Sequence, residues 1–309
     1  MDDPIIAGVE LGGTKAVAVL ARGRSIIDRF RLPTTTPTET LSRIADQLAR
    51  WHVDRPFEAL GVGSFGPVRL DPEAEDYGRI LDTPKPDWSG ADVIGALTRG
   101  HDRPCRIDTD VNAAVLAEKR WGAARDVASA CYLTLGTGVG GGLFDRRSPS
   151  PGRSPSGGRS PQNAAGDRRR FAGICPFHGD CVEGLVSGPA LHARFGRPGE
   201  HVDDDDPRWS FFIHDVAALI SALSLTASPG RVILGGWYRH RTRLPARADP
   251  NAGAGGTEWL SAARDTCDHR PLHRHGGTGR GGRATRRRVA GTGSLFRRRI
   301  EKGTTAWLT

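Results

Sequence analysis

Four stretches of the 309-residue chain place residue types at spacings that could do chemistry. The first, Gly8-Val9-Glu10-Leu11-Gly12-Gly13-Thr14-Lys15, comes close to a P-loop, but Thr14 stands where that motif needs lysine and strand-like sequence follows instead of a helix. It still offers a glycine turn between two strands, where backbone N–H groups and the Thr14 hydroxyl can approach phosphate oxygens without a Cβ in the way. An ordinary hairpin would read the same. The second, Gly136-Thr137-Gly138-Val139-Gly140-Gly141, is a formal G-x-G-x-x-G. A dinucleotide loop of that form should open a helix and meet an acid about 20 residues on; a strand and a low-complexity tract follow here, so a second phosphate-binding hairpin fits better. Two such turns, each after a buried strand, make phosphate binding more credible than either alone. In the third, Ile107 to Ala114, a strand ends at Asp110 and turns into a helix. Asp110 is placed there to accept a hydroxyl proton and Asn112 to bind a neighbouring hydroxyl, unless one of them only caps the helix. The fourth is Cys175, His178 and Cys181, three ligand types at zinc-compatible spacing. Buried thiols beside a surface histidine would give the same triplet.

These residues need a scaffold, and the pattern around them predicts one of mixed α/β type. Strands are expected at Ile5–Leu11, Ala16–Leu20, Ser25–Leu32, Ala59–Phe65, Cys105–Val111, Ala130–Leu135 and Arg231–Leu234, from short β-branched runs punctuated by glycine. Helical spacing of apolar residues predicts helices over Thr38–Trp51, with Thr38 as a cap, and over Asp92–Arg99, Asn112–Trp121, Ser187–Phe195 and His214–Ala227.

Composition divides the chain. The whole carries +9, but residues 1–143 are net −3 and 171–237 net −4, while 144–170 are +5 and 238–309 are +11. Two acidic, globular blocks are thus interrupted and followed by basic sequence of another kind: an Arg-Ser-Pro repeat beginning at Arg147, Arg153 and Arg159, and an Arg/Gly/Thr-rich tail. Neither basic segment has the apolar periodicity of a packed core. A disulfide miniprotein and a peptide hormone are excluded by length. Five cysteines are an odd number, the opening MDDPIIAGVE lacks a basic and an apolar leader region, and no apolar run reaches the roughly 18 residues of a membrane span, so a soluble cytoplasmic protein with reduced thiols and no membrane partner is expected.

The intact blocks resemble the ROK family of sugar kinases, and most closely its fructokinase branch. The resemblance is carried by GVELGGTK at 8–15, GSFGPV at 63–68, YGRILDTPKPDW at 77–88, DTDVNAA at 108–114, LGTGVGGG at 135–142 and CPFHGDCVEGLVSGPA at 175–190. It implies an actin-like (ribonuclease H-like) two-domain α/β fold, with a first domain over 1–120, a second, incomplete one over 121–237, and a basic tail over 238–309. It further implies ATP-dependent phosphorylation of a hexose, fructose to fructose 6-phosphate, with Asp110 as general base. Ser64, Gly66, Pro67 and Asn112 would bind the sugar. Gly12, Gly13, Thr14 and Lys15, with Thr137 and Gly138, would surround the ATP phosphates and Mg²⁺, and Pro189, Gly235 and Gly236 would border the adenosine. Cys175, His178 and Cys181 would hold a structural Zn²⁺. Partners would be sugar, ATP and a second copy in a homodimer.

The sequence departs from that pattern in two places. The family's Glu-x-Gly-His segment, which completes the metal site and adds a sugar-contacting glutamate, should fall between Phe144 and Phe171, yet residues 145–170 contain neither Glu nor His. Beyond Gly236 the expected third glycine and closing Gly-Asp-x-Ala-Gly segment are replaced by Arg-rich sequence. Loss, return and renewed loss of pattern is what out-of-frame reading of a GC-rich gene produces. Two other functions follow from the same residues: an inactive remnant of a fructokinase, or a basic nucleic-acid-binding protein. Against the latter, the basic segments lack interleaved aromatics, and no helix-turn-helix precedes Ile5. The frame-shift expectation is checked by resequencing the locus, where confirmation of the present reading frame would reject it.

Overall fold

The structure is a computed structural model and describes residues 3–146 and 171–236. The Arg-Ser-Pro repeat and the Arg-rich tail, with the expectations that fall on them, lie outside the described residues. The chain opens with three antiparallel strands, β1 (Ile5–Leu11), β2 (Lys15–Arg22) and β3 (Ser25–Pro33). Helix α1 (Pro37–Asp54) follows, its buried face made by Leu41, Ile44, Ala45, Leu48 and Trp51. Its cap is Thr36, not the expected Thr38: the Thr36 hydroxyl accepts the Glu39 N–H, and Pro37 sits in the first turn, where its missing donor costs nothing. Next come β4 (Ala59–Ser64), the short helix α2 (Val93–Leu97) capped by Asp92, and β5 (Cys105–Thr109). The strands form one sheet in the order β3-β2-β1-β4-β5, with β1, β4 and β5 parallel. Its core gathers Leu11, Leu20, Ile44, Leu48, Phe57, Leu60 and Trp88.

The chain leaves this sheet through α3 (Asp110–Trp121). The helix starts two residues before the expected Asn112, because the Thr109 hydroxyl accepts the Asn112 N–H at 3.2 Å. Thr109 is therefore the cap, and neither Asp110 nor Asn112 is tied up in that role. Beyond α3, β6 (Ser129–Leu135), β7 (Val139–Asp145) and β8 (Val232–Gly236) form a second sheet in the order β7-β6-β8. Against it lie α4 (Val182–Val186), α5 (Gly188–Phe195) and α6 (Trp209–Ala227). The first of these had no periodic signal, being only five residues long. Helix α6 begins at Trp209 and not at His214, since Trp209 and Phe212 extend its packed face into the second core with Leu185, Leu191 and Phe195. It is long and apolar enough by composition to cross a membrane, but Asp215 makes a buried ion pair with Arg194 at 3.2 Å, as a core helix can.

Helix α3 touches both sheets, and glycine is what lets it. A Cβ on Gly63 of β4 would stand 3.1 Å from that of Ala113; one on Gly140 would come within 2.9 Å of Val111 Cγ1, and one on Gly142 would overlap the Val111 carbonyl oxygen. Backbone cannot rotate away as a side chain can. Gly142→Ala is therefore expected to destabilise the fold by about 1–3 kcal/mol, whereas Gly61→Ala, whose Cβ meets nothing within 4 Å, should change stability by less than about 0.5 kcal/mol. Paired denaturant melts of the two variants check this, and equal effects would contradict it.

Candidate active site

Lateral pairing lines up Arg31, Val17, Glu10, Gly63 and Asp108 across the first sheet. Residues opposite one another share a face, so Glu10, Arg31 and Asp108 project from the same side. That is the side on which α3 begins: Asp110 Cα lies 3.5 Å from where a Gly63 Cβ would be. The bare position at 63 thus brings the first turn of α3 onto the sheet beside Glu10. Asp110 is half-buried and its Oδ1 accepts the Val111 N–H at 2.8 Å. Burial pushes its pKa up to about 6, the Val111 bond pulls it back and the charge of Glu10 adds to the rise. Glu10 is raised as well, by burial, against the pull of Lys15 and Arg31. Its Oε2 is buried and has no hydrogen-bond partner among the described residues. Asn112 is buried and donates from Nδ2 to Asp108 Oδ1 at 2.7 Å, which also accepts the Thr109 N–H at 2.7 Å. Its amide thus braces the loop below Asp110.

The two glycine turns meet over this point. Gly12 N–H closes the first on the Lys15 carbonyl at 3.0 Å, and an ideal Cβ on Gly13 would stand 3.6 Å from Thr137 Oγ1 in the second. Thr14, Lys15 and Thr137 are exposed. The second turn is closed by Gly136 N–H on the Gly138 carbonyl at 2.9 Å and held by Gly188 N–H on the Gly136 carbonyl at 2.7 Å. Behind it opens a cleft of about 410 Å³ lined by Gly136, Thr137, Gly188, Pro189, His192 and the segment 198–200. Pro189 is thus brought to the same space as Thr137. Gly235 and Gly236 do not line that cleft, although Gly236 pairs with Leu135, one residue before the turn. On the other side lies the 64–67 loop. Ser64 is fully buried and its hydroxyl is spent on the Phe65 carbonyl at 2.9 Å, while Gly66 and Pro67, joined by a cis peptide, are exposed.

Cys175, His178 and Cys181 come together as the spacing suggested, with one ligand atom from each inside a 4.8 Å span. Cys181 also starts α4, its Sγ accepting the Gly184 N–H at 3.5 Å. Burial, with the neighbouring Cys175 thiol, pushes its pKa up.

Three polar residues of the site escaped sequence reasoning. Glu10 was legible as the one charge inside an otherwise apolar strand, a placement that demands a partner. Lys85 and Glu183 gave no such signal. Their relevance is purely spatial: Lys85 Nζ donates to the Gly13 carbonyl at 2.6 Å, and Glu183 Oε2 accepts the Val139 N–H at 3.1 Å.

Residues 6–248 fit the ROK family. The chain belongs to that family. Similar curated ROK relatives include the fructokinase of Pediococcus pentosaceus, 36% identical over 78% of this chain and 82% of its own length, and that of Lactococcus lactis subsp. cremoris, 38% identical over 76% and 80%. They put the chain among the family's sugar kinases, which are phosphotransferases, on the fructokinase branch. Among solved structures, the ROK hexokinase from Thermus thermophilus is 26% identical, with a TM-score of 0.56, over 85% of this chain and 88% of its own. The ROK glucokinase from Streptomyces griseus, in complex with glucose and AMPPNP, gives a TM-score of 0.57 at 22% identity over 84% and 98%. The actin-like ROK fold anticipated from the motifs is the one found.

The carboxylate pair yields a direct expectation. In nucleotide-free protein Asp110 should titrate at about 6, and Glu10→Gln, by removing a neighbouring negative charge, should move that titration down toward the ordinary aspartate range. Carboxyl ¹³C NMR across roughly pH 2–8, which brackets both values, reads it; an unmoved Asp110 titration would mean that the two groups do not interact.

Proposed function

We propose that this ROK chain transfers the γ-phosphoryl group of ATP to the 6-hydroxyl of fructose. The observation that carries the reading is the half-buried Asp110 carboxylate set beside two facing glycine turns. In the reaction the sugar hydroxyl oxygen bonds to the γ-phosphorus, the bond to the β-phosphate bridging oxygen breaks, the hydroxyl proton passes to Asp110, and ADP departs. Gly13, Thr14, Lys15, Thr137 and Gly138 direct N–H, hydroxyl and ammonium donors at the phosphates, and Gly12, whose N–H closes the turn on the Lys15 carbonyl, lets them approach without a Cβ in the way. Pro189, with Gly235 and Gly236 at the end of β8, borders the adenosine. The exposed Gly66-Pro67 segment faces the sugar, while buried Ser64 and Asn112 act as supports beneath it. Since phosphoryl transfer is catalysed mainly by positioning and charge, two turns fixed by backbone hydrogen bonds suit it.

The donor set fits Mg²⁺. Glu10 supplies a buried oxygen without a partner beside a second carboxylate, and Mg²⁺ is commonly held by one or two carboxylates plus substrate phosphates. Bound there, the ion neutralises phosphate charge. Cys175, His178 and Cys181, whose ligand atoms lie within 4.8 Å of one another, would hold a structural Zn²⁺.

Two outcomes are expected. Purified protein with Mg²⁺ and ATP should phosphorylate fructose in preference to glucose and mannose, and Asp110→Asn should lower kcat by about 10²–10⁴. No turnover from a folded sample would identify the chain as a fructokinase remnant instead. Adding Zn²⁺ to chelator-treated protein should raise Tm, and Cys181→Ser should abolish that rise; an identical rise in the variant would remove the metal assignment.

A further inference from the structure

The segment Pro84-Lys85-Pro86 runs between β4 and α2 and turns its lysine inward. Lys85 Nζ donates to the Gly13 carbonyl at 2.6 Å and lies 5.8 Å from the centroid of the Phe65 ring and 5.9 Å from that of Trp88. The two rings meet edge to face at 5.1 Å, and fully buried Trp88 is pinned by its own N–H on the Thr35 carbonyl at 2.9 Å. The ammonium therefore sits on a fixed aromatic platform. It stands where two parts of the site join: Gly13 is the tip of the turn that faces Thr137, and Phe65 belongs to the loop beside the sugar. An ammonium carries three protons. The Gly13 carbonyl takes one, and the aromatic faces attract the cation without taking any. Among the described residues no carboxylate pairs with it, although burial already lowers its pKa. A cation kept half out of water without an anion is arranged for an anion that arrives.

We propose that Lys85 is a direct ligand of the phosphoryl group being transferred, touching the γ-phosphoryl oxygens of ATP and then the same oxygens on the sugar phosphate product. The inference rests on the reading of the site as an ATP:hexose phosphotransferase. A loop tie would need no charge, since the bond to Gly13 could be made by any donor of the right length. A sugar-selecting residue would act on free sugar. A phosphoryl ligand distinguishes ligands by that group alone.

The test measures binding by calorimetry in Mg²⁺ to four ligands: ADP, the β,γ-imido analogue of ATP, fructose and fructose 6-phosphate. Lys85→Met should weaken the ATP analogue and fructose 6-phosphate by at least about tenfold, the size expected for one hydrogen bond to a charged group, with ADP and fructose changed by less than about twofold. Lys85→Arg should recover part of the loss. Parallel loss for all four ligands, or loss for fructose alone, overturns the proposal. A second measurement needs no variant: reductive methylation read by mass spectrometry, in which the ATP analogue but not ADP should protect Lys85. Equal protection by both nucleotides overturns the assignment. An unsubstituted chain that binds neither nucleotide overturns the phosphotransferase reading as well, whereas normal binding unaffected at Lys85 overturns only this one.

Discussion

Helix α3 is wedged between two sheets, and its first turn can reach Glu10 only because the strands beneath it carry no side chains where it lands. Gly63 admits Ala113 and Asp110 on one sheet, and Gly140 and Gly142 admit Val111 on the other. Three positions in two strands thus fix one helix in two directions. This is more than packing. A helix carries its first residue rigidly, so the depth at which α3 settles decides how far Asp110 stands from Glu10 and from the glycine turns. Thr109 contributes by taking the capping bond from Asn112 N–H, while Asp110 Oδ1 accepts the N–H of Val111.

The cost of that placement is electrostatic. Two carboxylates are brought together in partly buried surroundings, where each raises the energy of the other's charged form, and Lys15 and Arg31 compensate only Glu10. With a pKa of about 6, Asp110 is nonetheless mostly ionised at neutral pH, which the proposed role of general base requires. Burial is the main cause of that rise; a divalent cation drawn to Glu10, as proposed, would offset the smaller part that comes from Glu10 and so lower the pKa of Asp110. Burial persists through that change, and a desolvated carboxylate remains a better proton acceptor than one in water.

Much of this architecture is legible in the chain. Strands β1 to β6 and β8 fall where β-branched runs between glycines put them, and α1 and α3 where apolar spacing does, because those signals are local. What escaped was of two kinds. Boundaries moved where a hydroxyl outcompeted the expected cap, as at Thr36 and Thr109, or where a core on another element extended a helix, as at Trp209 and Phe212. Site residues escaped where their meaning is a distance between segments far apart in sequence: Lys85 on Gly13, and Glu183 on Val139. No spacing within one segment encodes such pairs. Glu10 is the intermediate case, visible as a charge in a buried strand but assignable only once strand order puts Gly63 and then α3 beside it.

The short helix α4 joins two features that the sequence presents as separate. Five residues cannot hold a helix by themselves, since nucleation consumes more entropy than so few hydrogen bonds return. What holds α4 is attached at its ends. Cys181, one of the three clustered ligands, caps its start, and at its finish Ser187 N–H bonds the Glu183 carbonyl and caps α5 in turn. Between them the Glu183 carboxylate grips the Val139 N–H, and Gly188 holds the Gly136 carbonyl. The Cys/His/Cys triplet and the Gly136–Gly138 turn are therefore the two fixtures of one marginal helix. Loosening either end would loosen the other, so the order of the Gly136–Gly138 turn is not a property of its glycines alone; it depends on side chains that sequence spacing assigns to a different task.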